Sequence, residues 1–196
     1  MIEAMPPKMA DWAMPIMSGS YSAEPLTLED FASIRIWRNA QIDILRQDRP
    51  LSEADQQRYY SSQVRDTYGL DQPVMMLFGL KKEGRLIAYG GLVHIDWTAG
   101  RAELSFLHEN TFAQAPESYA EDFSVFISMM KHLTFEITGL NRLTAEVYDI
   151  RPEHIKIMEE NGFILEGRLR EHVKIRGRYV DSLIHSILKS DINDFA

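Results

Sequence analysis

The chain contains no cysteine. That absence excludes disulfides, thiolate metal sites and a cysteine nucleophile, and it agrees with a reducing compartment, so a cytoplasmic location is expected. Basic residues are also scarce: 21 Lys and Arg face 29 Asp and Glu, for a formal net charge of −8. A general nucleic-acid binder needs surplus Lys and Arg on its binding face, so that class is set aside. No apolar run is long enough to span a bilayer. The opening "MIEAMPPKMADWAMPIMSGS" has one Lys and lacks the continuous apolar segment of a secretory leader. Histidines and carboxylates do not recur at metal-ligand spacing, so no metal is expected.

What is present suits one compact domain: 45% of the 196 residues are hydrophobic. Residues 1–20 read as a flexible N-terminal arm whose methionines and Trp12 are candidate contacts for a partner or membrane surface. Residues 21–196 read as the domain. "LTLEDFASIRIWRNAQ" sets Thr27 three residues before Asp30, with Phe31, Ile34 and Trp37 at helical spacing. "LSEADQQRYYSSQV" repeats that start with Ser52 and Asp55. "PVMMLFGLKKEGRLIAYGGLVHIDW" holds two apolar runs divided by Lys81 to Gly84, an expected hairpin, and "RAELSFLH" is a third strand. A long helix follows, with Phe123, Phe126, Ile127, Met130, Leu133 and Ile137 on one face and Gly139 at its end. "NRLTAEVYDI" alternates like a strand, "RPEHIKIMEENG" is a short helix with Pro152 in its first turn, and two strands joined through Gly177 close the chain. The order predicts an α+β (mixed α/β) domain on a mostly antiparallel sheet, with one parallel crossover made by the long helix.

The start of that long helix, "APESYAEDF", carries three carboxylates. Ser118 followed three residues on by Glu121 reads as a capping box, and Glu117 and Asp122 add negative charge where the helix dipole is positive. On this reading the helix satisfies its own N-terminus. The stretch "HENTFAQAPESYAEDF" has no glycine, lysine or arginine.

The element order, with "RIWRNAQ" early and "IMEENGFILEGRLREH" late, resembles the GCN5-related N-acetyltransferase (GNAT) family, especially its ribosomal-protein and sugar-nucleotide branch. The features that recur there are a first helix ending in Trp37-Arg38-Asn39, a short helix running into Asn161-Gly162-Phe163, a strand beginning Glu166-Gly167, and Gly177, Tyr179 and Asp181 in alternation. The match covers Leu26 to Leu188.

The resemblance implies acetyl-CoA bound at a splayed pair of parallel strands, "AELSFL" and "TAEVY", with Leu104, Phe106 and Leu107 against it and its pyrophosphate at Ser118 and Tyr119. It also implies a small-molecule amine acceptor, an amino-sugar nucleotide among them, and makes a homodimer a candidate assembly. Glu103 is the expected base and Tyr148 the expected acid; a carboxylate in a cleft and a phenol suit those tasks. Trp37, Arg38, Asn39 and His94 fall on the expected acceptor surface. His94 and His108 lie at strand ends beside the cleft, where a neutral imidazole can act as a base. Two departures stand out. Relatives place glycines where this chain has its acidic helix start, and an anion seated there would meet like charge at a cost of about one to a few kcal/mol per pair. At the short helix, Arg151 and His154 replace the usual contacts and are candidate phosphate or substrate ligands. The alternative to an enzyme is a GNAT-like domain that has lost conventional CoA binding and recognises a ligand or partner instead.

Overall fold

The computed structural model describes residues 9–193. One sheet of eight strands carries the fold, in the order β1-β2-β3-β4-β5-β6-β8-β7. The strands are β1 (Ile16–Ser18), β2 (Tyr21–Pro25), β3 (Met76–Lys82), β4 (Arg85–Asp96), β5 (Arg101–His108), β6 (Arg142–Tyr148), β7 (Ile164–Ile175) and β8 (Arg178–Leu188). All neighbours run antiparallel except β5 and β6, which are parallel because α3 (Pro116–His132) carries the chain between them. The other helices are α1 (Asp30–Ala40), α2 (Glu53–Tyr59), α4 (Pro152–Glu160) and α5 (Lys189–Asn193). The expected α+β architecture is therefore present.

Local chemistry sets these boundaries. Ser52 and Asp55 form the expected capping box on α2. At α1 only the return half forms: the Asp30 carboxylate accepts from the Thr27 amide at 2.7 Å and its hydroxyl at 2.9 Å, and Glu29 takes the cap position. Glu83 and Gly84, both at positive φ, close the β3–β4 hairpin in two residues. Gly91 fixes how closely β3 and β4 approach. A Cβ there would stand 1.9 Å from the Met76 carbonyl oxygen, and its φ of 145° is a glycine conformation.

Residues 1–20 were expected to form a flexible arm, and the structure corrects this for the part it describes. Asp11–Ala13 is a 3-10 turn, and β1 pairs with β2. Trp12 is 4% exposed: its indole N–H donates to the Leu70 carbonyl at 2.8 Å and its ring packs on Tyr68 and Phe78. A large aromatic that finds both an apolar bed and a hydrogen-bond acceptor is core rather than a docking surface. Residues 1–8 of the expected arm lie outside the described residues. The core runs between the sheet and its helices, with Phe106 stacked on Phe123 at 4.5 Å and tilted against Phe126 at 5.1 Å. No helix among the described residues is long and apolar enough to cross a membrane.

Candidate active site

The parallel pair β5 and β6 is joined over only three residue pairs, ending at Glu103 opposite Thr144. Beyond that point the strands part, while β5 stays paired to β4 and β6 to β8. The gap opens a cavity of about 200 Å³ bordered by Leu104, Phe106, Ala145, Val147, Tyr148 and Met158, among others. Its mouth is charged.

Four side chains from separate elements meet at that mouth. Glu103 comes from β5 and Glu146 from β6. The Arg46 guanidinium, on the segment after α1, bridges them, at 3.2 Å from Glu103 Oε1 and 2.6 Å from Glu146 Oε2. His94 Nδ1 stands 3.0 Å from Glu103 Oε2. The backbone explains how His94 reaches it: the β4–β5 register shifts between Val93 and Asp96, and His94 sits at φ 50° within that irregularity. Bulges of this kind re-aim a side chain, and a non-glycine residue in the left-handed region marks local strain. A second irregularity, in β7 between Leu169 and Val173, brings His172 Nε2 to 3.6 Å from Glu146 Oε1.

Tyr148 lines the same cavity. Burial raises its phenol above the ordinary value, with the Arg46 guanidinium acting in the opposite direction, so it is a proton donor at neutral pH. Deeper in, Arg151 donates to the Tyr119 hydroxyl at 2.8 Å, and that hydroxyl lies 2.8 Å from His154 Nδ1. Arg151 also lies 3.3 Å from His154 Nδ1 and can only donate, so Nδ1 is an acceptor, the Tyr119 proton points at it, and the imidazole carries its own proton on Nε2. Burial and the Arg151 charge push the His154 pKa well below its usual range, which keeps the ring neutral. It stacks on Phe123 at 4.2 Å.

The helix start differs from expectation in a way that bears on anion binding. α3 begins at Pro116, not Ser118, with Ala115 as its N-cap and no side-chain cap. Proline at N1 fixes the start two residues early, so Ser118 lies at N3 and bonds back to the Ala115 carbonyl at 3.4 Å. The capping box does not form. Glu121 reaches Lys82 at 3.0 Å. Asp122 is 3% exposed and turns inward, where Tyr21 Oη donates at 2.7 Å and His108 Nε2 lies at 3.0 Å. The ionised Asp122 carboxylate can only accept, so His108 Nε2 carries the proton between them. Of the three carboxylates, only Glu117 remains in the first turn. The Glu117 and Ser118 amides have no backbone or side-chain acceptor among the described residues, as expected for an uncapped helix start.

Of the residues singled out from sequence, Glu103, Leu104, Phe106, Tyr148, Arg151, His154, Arg38 and His94 line the cavity. Tyr119 reaches it through Arg151 and His154, and Ser118 sits in the first turn of α3. Four residues go elsewhere. Leu107 is buried in the core, Trp37 packs against the core, and Asn39 fastens the 47–51 loop through both Leu51 backbone groups. His108 is consumed by Asp122. Glu146, Arg46 and His172 were not singled out. Alternation along "TAEVY" places Glu146 on the same face as Tyr148 and could have found it; nothing in the sequence near Arg46 marks it. Among the described residues, no group of three or more His, Asp and Glu is placed to hold a metal ion.

Residues 24–184 match the family model described as an acetyltransferase (GNAT) domain. An uncharacterized N-acetyltransferase, p20, of Bacillus licheniformis is 25% identical over 156 residues, covering 79% of this chain and 84% of that protein. A spermidine N(1)-acetyltransferase of Vibrio cholerae is 32% identical over 92 residues, covering 45% and 53% respectively. Among solved structures, the spermidine N-acetyltransferase from Vibrio cholerae in complex with CoA and spermine superposes with a TM-score of 0.75 at 20% identity, over 89% of this chain and 98% of that one. At that identity the superposition speaks for the fold.

Proposed function

The chain belongs to the GNAT acetyltransferase family, and from that premise we propose that it transfers an acetyl group from acetyl-CoA to an amine of a small molecule. The observation that carries this reading is the parting of β5 and β6 beyond Glu103, with Glu103 and Tyr148 lining the one cavity that the parting creates. The co-substrate supplies an activated acetyl thioester. The residues present fit it. The Glu117 and Ser118 amides offer donors for its phosphates at the helix start. Arg151, which bonds only to neutral partners, adds a cation at the cavity, and Leu104 and Phe106 add apolar walls.

Within that frame the side chains divide the chemistry among them. Glu103 receives a proton from the attacking amine, and His94, hydrogen-bonded to it and open to solvent, passes that proton outward. The new C–N bond replaces the C–S bond, and the Tyr148 hydroxyl protonates the departing sulfur. Arg38, held by the Tyr89 hydroxyl at 2.6 Å, borders the acceptor side. The alternative, a domain without CoA binding, drew on the acidic cap at α3, and Lys82 and His108 hold two of its three carboxylates away from the helix start.

Two finer points belong to the same reading. A homodimer is supported by the exposed apolar residues Ile164, Leu165 and Leu169 on the outermost strand, and a related spermidine N-acetyltransferase forms a dodecamer. A cytoplasmic location follows from the co-substrate; light scattering and cell fractionation check the two. The primary test is calorimetric titration with acetyl-CoA at low and physiological salt, followed by thiol release with a panel of amines. Micromolar binding that weakens with salt is expected. No binding in either buffer overturns the reading.

A further inference from the structure

Glu146 is the one carboxylate of this site whose bonding is incomplete. Its Oε2 accepts from Arg46 at 2.6 Å, whereas Oε1 is buried without a hydrogen-bond partner, with His172 Nε2 at 3.6 Å beyond bonding distance. A buried charged oxygen left unbonded is costly, and such groups survive in folded proteins where a ligand or water completes them.

Arg46 accounts for the other oxygen in a telling way. Its guanidinium lies between carboxylates on two parallel strands, as a single cation would in a receptor built for one. The carboxylates are fixed by the sheet. Arg46 follows the short 3-10 turn Ile42–Ile44, outside any helix or strand, and its side chain is 48% exposed. Its neighbour Asp43 is tied to Arg176 at the tip of the β7–β8 hairpin, so the segment is anchored while the Arg46 side chain remains the part able to swing away.

We propose that Glu146, together with Glu103, anchors the ammonium group of a cationic amine acceptor, and that Arg46 is a tethered stand-in that the acceptor displaces. The proposal rests on the acetyl-transfer reading above and narrows it. With Arg46 withdrawn, two carboxylates, the unbonded Oε1 among their oxygens, face the cavity, a charge that suits an acceptor with two or more ammonium groups. A phosphate-bearing amine would bring like charge against Glu103 and Glu146.

The test is calorimetric titration of spermidine and of glucosamine 6-phosphate, with and without coenzyme A, into the wild type and the variants Arg46→Gln, Arg46→Lys and Glu146→Gln. Arg46→Gln is expected to bind spermidine about fivefold tighter, the scale of a half-exposed ion pair that no longer competes. Arg46→Lys should restore the wild-type affinity, and Glu146→Gln should weaken spermidine about tenfold. Unchanged or weaker spermidine binding by Arg46→Gln overturns the proposal. So does glucosamine 6-phosphate binding that is lost in Arg46→Gln, which would make Arg46 a phosphate receptor. Should Glu146→Gln not fold, the two Arg46 variants still decide the matter. Coenzyme A itself separates the levels: if it binds and spermidine affinity does not shift, only the exchange fails, whereas no coenzyme A binding removes the acetyl-transfer reading.

Discussion

Replacing Asp122 by Asn should destabilise the protein out of proportion to the size of the change. The carboxylate is almost wholly buried and takes three donors: Tyr21 Oη at 2.7 Å, His108 Nε2 at 3.0 Å and Lys82 Nζ at 3.4 Å. An asparagine keeps the shape, removes the charge, and turns an N–H group toward partners that themselves donate. Each hydrogen bond to a charged group contributes about 1.5–3 kcal/mol net, and breaking a buried charged network from one side costs about 3–5 kcal/mol. For a domain of this size that lowers the melting midpoint by roughly 10 °C. Glu121→Gln is the control: it loses an exposed pair with the same lysine and should cost no more than about 0.5 kcal/mol.

The pH dependence gives an independent sign. Burial by itself raises the Asp122 pKa, but the bonds from His108 and Tyr21 and the Lys82 charge outweigh it, so the folded-state pKa is depressed. A depressed carboxyl contributes stability that is fully present above the unfolded value of about 3.9. That contribution is lost as pH falls through the folded value, so the gap between wild type and Asp122→Asn should narrow in acid. Urea unfolding followed by tryptophan fluorescence at pH 7 and at stepwise lower pH measures both. A deficit under about 1 kcal/mol at pH 7, well short of what such a network is worth, or a gap that does not close in acid, refutes the reasoning.

Tyr148→Phe removes the proposed proton donor while keeping the ring, so turnover should fall about a hundredfold or more, with acetyl-CoA affinity by titration unchanged. Glu117→Gln removes the one carboxylate left in the first turn of α3; acetyl-CoA should bind about two- to fivefold tighter at low salt, a gain that fades at high salt. Gly91→Ala would press a methyl against the Met76 carbonyl at a φ that alanine rarely adopts. It should cost more than about 4 kcal/mol, seen as loss of soluble, cooperatively melting protein.

The hairpins, the long helix, the proline-led α4 and the capping box of α2 were all legible, because each rests on local chemistry within a few residues. The misreadings have one local cause and two long-range ones. At α3 two signals competed: a serine and a glutamate three apart, and Pro116 two residues earlier. The proline prevailed because its ring fixes the backbone at N1 whatever the side chains downstream prefer. The segment from Asp11 to Ser18 lacked any periodic pattern, since it is a three-residue turn and a three-residue strand whose order comes from Trp12 docking on residues some sixty positions away. At the site, Glu103 and Tyr148 were visible through resemblance and strand alternation. Arg46 was not, because an irregular segment carries no period, and its partner Glu146 lies 100 residues further along.

The Tyr21–Asp122–His108 chain joins β2 to α3 and β5, which follow it about a hundred residues later. Its consequence is thermodynamic linkage. Were a ligand to rest on the first turn of α3 as proposed, whatever coupling it had to the docking of the first hairpin would be equal in both directions. A shortened chain beginning at Tyr21 would lose β1 yet keep the pairing of β2 with β3, so it measures how much of the strut's hold comes from the hairpin. On the proposed reading, in which the α3 start takes the phosphates of the co-substrate, the hairpin would share in that affinity without touching the ligand.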